Sequence, residues 1–224
     1  MRWDCAFGSS SLPRLAVGLA ALLLASCGPA QRPPDVLVVA QSLDDLTSLD
    51  PAEGFELSSV QAFTSLYQRL LQPDRSDPRR LSPLLAIRWT PGPARRSLIF
   101  ELDPAAKFAT GRPVRAADVI FSLRRAVVLN RSPAFMLNER GWTAANIDEQ
   151  LHALDEHRVL LNWSSDVGES LVLSILTAPV ASIVDAAEVG GHAQSGDEGN
   201  GWLRSHAAGS GAVRDLSASA RATT

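Results

Sequence analysis

The chain has 224 residues, of which 46% are apolar and 20% charged, a composition that builds a packed core and excludes a disordered chain. A formal charge of −3, from 21 basic and 24 acidic residues, supplies no positive field for phosphate backbones and excludes nucleic acid as a partner class. Two cysteines, Cys5 and Cys27, are too few for a disulfide framework, and neither sits in a CxxC or Cys/His cluster, which excludes structural zinc.

In chain order, residues 1–26 predict a bacterial secretory signal. Arg2 and Arg14 flank an apolar run from Leu15 to Ala25 that is about 16 Å long as helix, too short for roughly 30 Å of hydrocarbon. Leu24-Ala25-Ser26-Cys27 then resembles the lipobox of bacterial lipoproteins, in which the cysteine sulfur is acylated before cleavage. An ordinary signal peptide ending by chance at a cysteine is the alternative. If Cys27 is acylated, the mature body has no free thiol and is tethered to a membrane outside the cytoplasm. Residues 27–34, rich in proline, fit a stiff spacer, so the folded body is expected over 35–212.

Val36–Ala40 predicts a buried first strand, and Asp50 before Pro51 an extended-to-turn geometry. Apolar Val60, Phe63, Leu66, Tyr67, Leu70 and Leu71 at helical spacing predict a helix from Ser58 or Ser59 to Leu71. Leu84–Trp89 and Ser97–Leu102 predict a hairpin, Phe108–Pro113 a turn, and Ala116–Val128 a helix. The expected apolar stripe of that helix is Ala117, Ile120, Phe121, Leu123, Arg124 and Val127, with Arg124 and Arg125 complementing its dipole. Two short strands are expected on either side of Asp155-Glu156, then a buried helix over Glu169–Val184 broken by Pro179, then a mobile glycine-rich loop from Gly190 to Gly201. The tail, 213–224, is small, polar and without period.

These segments resemble the extracytoplasmic solute-binding proteins of ABC transporters, family 5, which take dipeptides, oligopeptides and nickel chelates. The residues that carry the likeness are Ser48-Leu49-Asp50-Pro51, the run Ser65–Leu71, Leu81–Ala86, and above all Leu98–Arg124. In that last stretch a strand ends in Lys107-Phe108, a Gly-Arg-Pro turn follows, and a helix opens with Ala116-Ala117-Asp118-Val119. The resemblance implies an α/β fold, the N-terminal lobe of a two-lobed periplasmic-binding-protein-like (type II) fold, incomplete. Family members run to about twice this length, and after Ala212 the family pattern is lost, so a truncated gene product is expected. The implied function is capture of a peptide or similar small polar solute and delivery to an ABC permease, without catalysis and without a cofactor.

By similarity, the cleft residues are Gly54, Phe55, Glu56 and Leu57 in one loop and Ala134 and Phe135 in another, where extended backbone can pair with a peptide main chain. Ordinary packing of both phenylalanines is the competing reading. Trp142 and Trp202 are the better cleft candidates among the tryptophans, while Trp89 and Trp163 read as core. The four histidines (His152, His157, His192, His206) read as surface or turn residues, and Asp44-Asp45 and Asp197-Glu198 as solvated pairs, rather than metal or acid/base sites. A rival of another class is a single-lobe lipoprotein with a structural or protein-interaction role; an enzyme is a distant third.

Overall fold

The computed structural model describes residues 44–164 and 166–213, all within the unit Ser42–Thr224. The signal segment, Cys27, the spacer, the strand expected at Val36–Ala40 and the tail from residue 214 lie outside the described residues.

The centre of the fold is a four-stranded antiparallel sheet, in the order β3 (Ala86–Pro91), β4 (Ser97–Leu102), β6 (Arg158–Asn162), β5 (Leu151–Ala153). Both expected hairpins are present. Register places Leu98 opposite Leu161 and Phe100 opposite Val159. All four side chains are buried, the period-2 alternation of a sheet with one covered face. A smaller sheet pairs β1 (Leu71–Pro73) with β2 (Leu81–Pro83).

Helix α2 (Ala116–Leu129) covers the large sheet through Val119, Leu123, Ala126 and Val127. Its start is fixed as expected, since the Arg115 amide donates to Asp118 Oδ2 at 2.9 Å. Its buried face is rotated from the expected stripe. Ala117 is exposed and Ile120, Phe121 and Arg124 are only partly covered, whereas Asp118, Ser122 and Arg125 are buried. These three polar residues stand at i, i+4 and i+7, one line along the helix. Arg125 is therefore not a solvated dipole partner. It lies 2% exposed against Asp50.

Helix α1 (Leu57–Leu66) ends five residues before the expected Leu71. Tertiary pairing removes its last turn. The carbonyls of Ser65 and Leu66 accept from the amides of Val213 and Gly211 (both 3.0 Å), and Tyr67 is already extended. Gln68 then bridges to Ile183, and the Leu70 carbonyl accepts from Leu84 and Ala86. Leu70 and Leu71 are buried as expected, but outside the helix, Leu70 in a bend and Leu71 opening β1.

Short elements complete the chain. They are a 3₁₀ turn at Ser132–Ala134 leading into α3 (Phe135–Asn138), α4 (Ile147–Gln150), α5 (Glu169–Ile175), a 3₁₀ turn at Pro179–Ala181, α6 (Ala186–His192) and α7 (Asn200–Leu203). The expected proline break after Glu169 is observed, with Val172, Leu173, Val180 and Ile183 buried on both sides of it. The glycine-rich stretch is not irregular loop throughout. Gly190 and Gly191 continue α6, and Asp197 accepts from the amides of Gln194, Gly199 and Gly201 at 2.8, 2.9 and 3.2 Å. Gly196 and Gly199 take φ of +75° and +74°, which only glycine adopts freely. Among the described residues no helix is long and apolar enough to cross a membrane.

Candidate functional site

The two loops nominated by resemblance lie about eighty residues apart in sequence, and the fold brings their aromatic members together. The Phe55 and Phe135 rings stand edge to face, centroids 6.1 Å apart at 82°, the geometry favoured by the ring quadrupoles. Both stay open to solvent, at 49% and 48% exposed, and Leu57 is 69% exposed. Large apolar side chains displayed in this way mark a surface that meets something.

The remaining nominated residues stand behind this pair. Gly54 is buried, and a Cβ there would lie 2.7 Å from Phe63 Cζ and 2.9 Å from the Ser48 carbonyl. No side chain fits, and the chain can pass to Phe55 only as glycine. The expected extended backbone is not found at Ala134 and Phe135, which are helical. Ala134 is fully buried and its amide donates to the Arg131 carbonyl at 2.8 Å, so it supports Phe135 and does not face a ligand. Glu56 precedes α1, and its carboxylate accepts from Thr47 Oγ1 at 2.8 Å and from the Phe55 amide at 3.0 Å. Burial pushes this carboxyl up, but its backbone donors with Thr47 and Ser59 outweigh burial and hold it below the ordinary glutamate value. Trp142 is no cleft residue: it is fully buried and donates its indole N–H to the Asn162 carbonyl at 2.7 Å. Trp202 lies between His192 and His206, stacked at 4.4 and 4.7 Å, and both histidines are exposed surface residues as expected.

A polar cluster that the sequence reading did not single out holds the Phe55 loop. The Asp50 carboxylate, 0% exposed, receives both terminal nitrogens of Arg125 at 2.8 Å, the Ala52 amide at 2.9 Å and Asn200 Nδ2 at 2.8 Å. Such a two-toothed contact fixes direction as well as distance. Arg125 Nε donates to the Glu198 carbonyl at 3.0 Å, and Glu198 is a non-glycine residue in the left-handed region, φ +49°. One layer outward, Arg204 pairs with Glu53 at 2.6 and 2.8 Å, and Asn200 also reaches Glu53 at 3.1 Å. Hydrogen bonding from Arg204 holds Glu53 well below its ordinary value, at about 2, against an opposing effect of burial. The buried Tyr67 hydroxyl donates to the Leu49 carbonyl at 3.0 Å, and burial followed by the Asp50 charge pushes its pKa up.

The signal for this cluster was present. Asp118, Ser122 and Arg125 interleave with Val119, Leu123 and Ala126 along one helix. A polar line among core positions implies buried partners, although sequence alone does not say which. Farther along that line, Arg112 pairs with both Asp118 and Asp185. Burial alone would raise the Asp185 carboxyl, yet Arg112 and Thr110 bring it below the usual range. No group of three His, Cys, Asp or Glu among the described residues is arranged to hold a metal ion.

Residues 80–213 match the model of the bacterial extracellular solute-binding proteins, family 5 Middle. The probable D,D-dipeptide-binding periplasmic protein DdpA of Escherichia coli is 32% identical over 199 residues, covering 86% of this chain and 36% of DdpA. Among solved structures, the E. coli murein tripeptide binding protein MppA superposes with a TM-score of 0.57 at 24% identity, over 69% of this chain and 32% of MppA. The Helicobacter pylori periplasmic binding protein DppA, in complex with a peptide, gives 0.58 at 20% identity, over 75% and 34%. The chain thus spans about a third of the length of these relatives, and its mixed α/β architecture is that of part of a periplasmic-binding-protein lobe. With more than half of its residues matched by the family model, the chain is a member of the bacterial extracellular solute-binding proteins, family 5.

Proposed function

We propose that this chain supplies the N-terminal, ligand-receiving part of a solute-binding lipoprotein that captures a short peptide and hands it to an ABC permease. The observation that carries the reading is the exposed Phe55–Phe135 pair, built from two distant segments and left without an apolar cover among the described residues. Two half-exposed rings beside the exposed Leu57 suit an apolar peptide side chain. The names of the relatives, which bind a D,D-dipeptide and murein peptides, support peptide over a metal chelate. A second lobe would close over the ligand, and closure gains free energy only from contacts made to both sides. Cys27 is the proposed acylation site, placing the protein on the outer side of a membrane.

Titration calorimetry with a D,D-dipeptide, an L-tripeptide bearing a central leucine, and an acetylated amino acid tests the reading. We expect saturable binding of one of the peptides and none of the control. Phe55→Ala and Phe135→Ala should each weaken binding about tenfold, or about 1.4 kcal/mol, with unchanged thermal midpoints. Binding that ignores both substitutions, or no peptide binding at all, removes the peptide reading and favours an interaction module. Labelled palmitate should enter the wild-type protein in cells and not Cys27→Ala.

A further inference from the structure

The buried carboxylate of Asp50 sits four residues before Gly54, and the Asp50 carbonyl accepts from the amides of Glu53 and Gly54 at 3.0 and 2.8 Å. The turn that ends at Phe55 is therefore built on Asp50. Asp50 is in turn gripped by Arg125, in the C-terminal half of α2, and α2 runs on through Asn130 into the segment that carries Phe135. One helix thus fixes both members of the aromatic pair: Phe135 through the chain and Phe55 through an ion pair.

A third segment closes the grip. The turn from Gly196 to Arg204 presents the Glu198 carbonyl to Arg125, Asn200 to Asp50 and Glu53, and Arg204 to Glu53. The Arg204 carbonyl also accepts from the Leu49 amide at 3.0 Å. To do so the backbone enters the left-handed region at Gly196, Glu198 and Gly199. At Glu198 that conformation is unfavourable unless surrounding contacts impose it. Burying two charges is also a poor source of stability compared with an apolar replacement. An arrangement with those two liabilities is explained if it sets a geometry.

We infer that Arg125 and Asn200 are positioning residues, which through Asp50 hold the 48–57 loop so that Phe55 meets Phe135 at the surface. The inference rests on the aromatic pair as ligand surface, but its test uses no ligand and so fails or survives separately from the peptide reading. The position of the Phe55 ring is set from inside the molecule, and apolar side-chain selectivity at the surface follows from a salt bridge that no ligand touches.

Fluorine NMR on protein carrying 4-fluorophenylalanine at position 55 reads this directly. A second label at position 100, in the sheet, reports whether the fold persists. The shift difference between the parent and Phe135→Ala defines the influence of the Phe135 ring. We expect Asn200→Ala and Arg125→Lys, which keeps the charge and loses the two-toothed contact, to move the position-55 resonance most of the way to the Phe135→Ala value. The position-100 resonance should stay in place. A position-55 resonance that remains at the parent value in folded Asn200→Ala protein overturns the inference, whatever Arg125→Lys does. Broadening of both labels together in Asn200→Ala overturns it too, because the residue would then support the fold as a whole.

Discussion

The sheet side and the loop side of α2 are held by different physics. Toward the sheet, the helix meets Leu98, Phe100, Val159 and Leu161 in a continuous apolar cluster, where stabilisation scales with buried area and tolerates substitutions of similar volume. Toward the loops, a smaller cluster of Leu49, Phe63, Leu66, Tyr67, Val184, Val189 and Leu203 is separated from the first by a seam of buried polar groups, Asp118, Ser122, Arg125, Asp50 and Asn200, with the partly exposed Arg112 at its end. Ser122 Oγ accepts from the Val184 amide at 2.9 Å within that seam. The apolar side supplies a stable platform. The polar side specifies where irregular chain must lie, a task for which directionless burial is poorly suited.

That contrast is broken most severely at Arg125. Arg125→Met leaves the Asp50 carboxylate buried without its counter-charge and should lower stability by about 3–5 kcal/mol. Leu98→Ala on the sheet side should lower it by about 2–5 kcal/mol. The two sides separate in the second step of each cycle. Adding Asp50→Leu to Arg125→Met should restore much of the loss, because no charge then remains to be solvated. Adding Val159→Ala to Leu98→Ala should only deepen it. Denaturant unfolding of the parent, the two single variants and the two double variants checks this, and a seam double variant no more stable than Arg125→Met alone would remove the distinction.

The same contrast explains how much was legible in the sequence. The hairpins, the Phe108–Pro113 turn, α2 and the proline break were readable because periodicity and turn chemistry are local signals. The end of α1 was not, since Tyr67, Leu70 and Leu71 satisfy a helical period equally well. What ends the helix is Gly211 and Val213 pairing with its last carbonyls, partners about 145 residues away in sequence. Likewise, glycine, aspartate and serine between 190 and 201 read as mobile chain by composition. Asp197 instead uses those amides as a small internal cap, and Asn200 reaches a carboxylate 150 residues distant. Of the candidate site, resemblance nominated both phenylalanines, and the structure adds that their rings touch. The spacing of Asp118, Ser122 and Arg125 marks a buried polar line on α2, but nothing local in the sequence names Asp50, 75 residues away, as the partner of Arg125.

A smaller effect sharpens the comparison at the far edge of the loop side. Gly209 and Gly211 have no need of the left-handed region, and neither is among the glycines with positive φ. They are glycine for lack of space: a Cβ on Gly209 would overlap the Leu66 carbonyl oxygen, and one on Gly211 the Ser65 carbonyl oxygen. Gly209→Ala should therefore push the 207–213 segment off α1 and lower stability by about 1–3 kcal/mol. The urea midpoint should fall with an unchanged slope. In contrast, Gly191→Ala, where a Cβ meets nothing within 4 Å, should be neutral or slightly stabilising through helix propensity.

The smallest effect is the one that depends on pH. Glu53 lies near the outside of the seam, with its carboxyl lowered from 4.5 to about 2, chiefly by its hydrogen bonds from Arg204. A carboxyl with a depressed folded-state pKa binds protons more readily in the unfolded chain. Its contribution is therefore complete above about pH 4.5 and is lost as the pH falls toward 2. Arg204 is half exposed, with 53% of its side chain accessible, so solvent screens the pair and its worth at neutral pH is about 1 kcal/mol. Glu53→Gln should lower stability by that amount at pH 7 and by nothing near pH 2, making the acid limb of its stability curve shallower than that of the parent. Parallel limbs for parent and variant between pH 4.5 and 2 would show that the Arg204 contact does not hold Glu53 in solution, and the outer layer of the seam would then have to be redrawn without it.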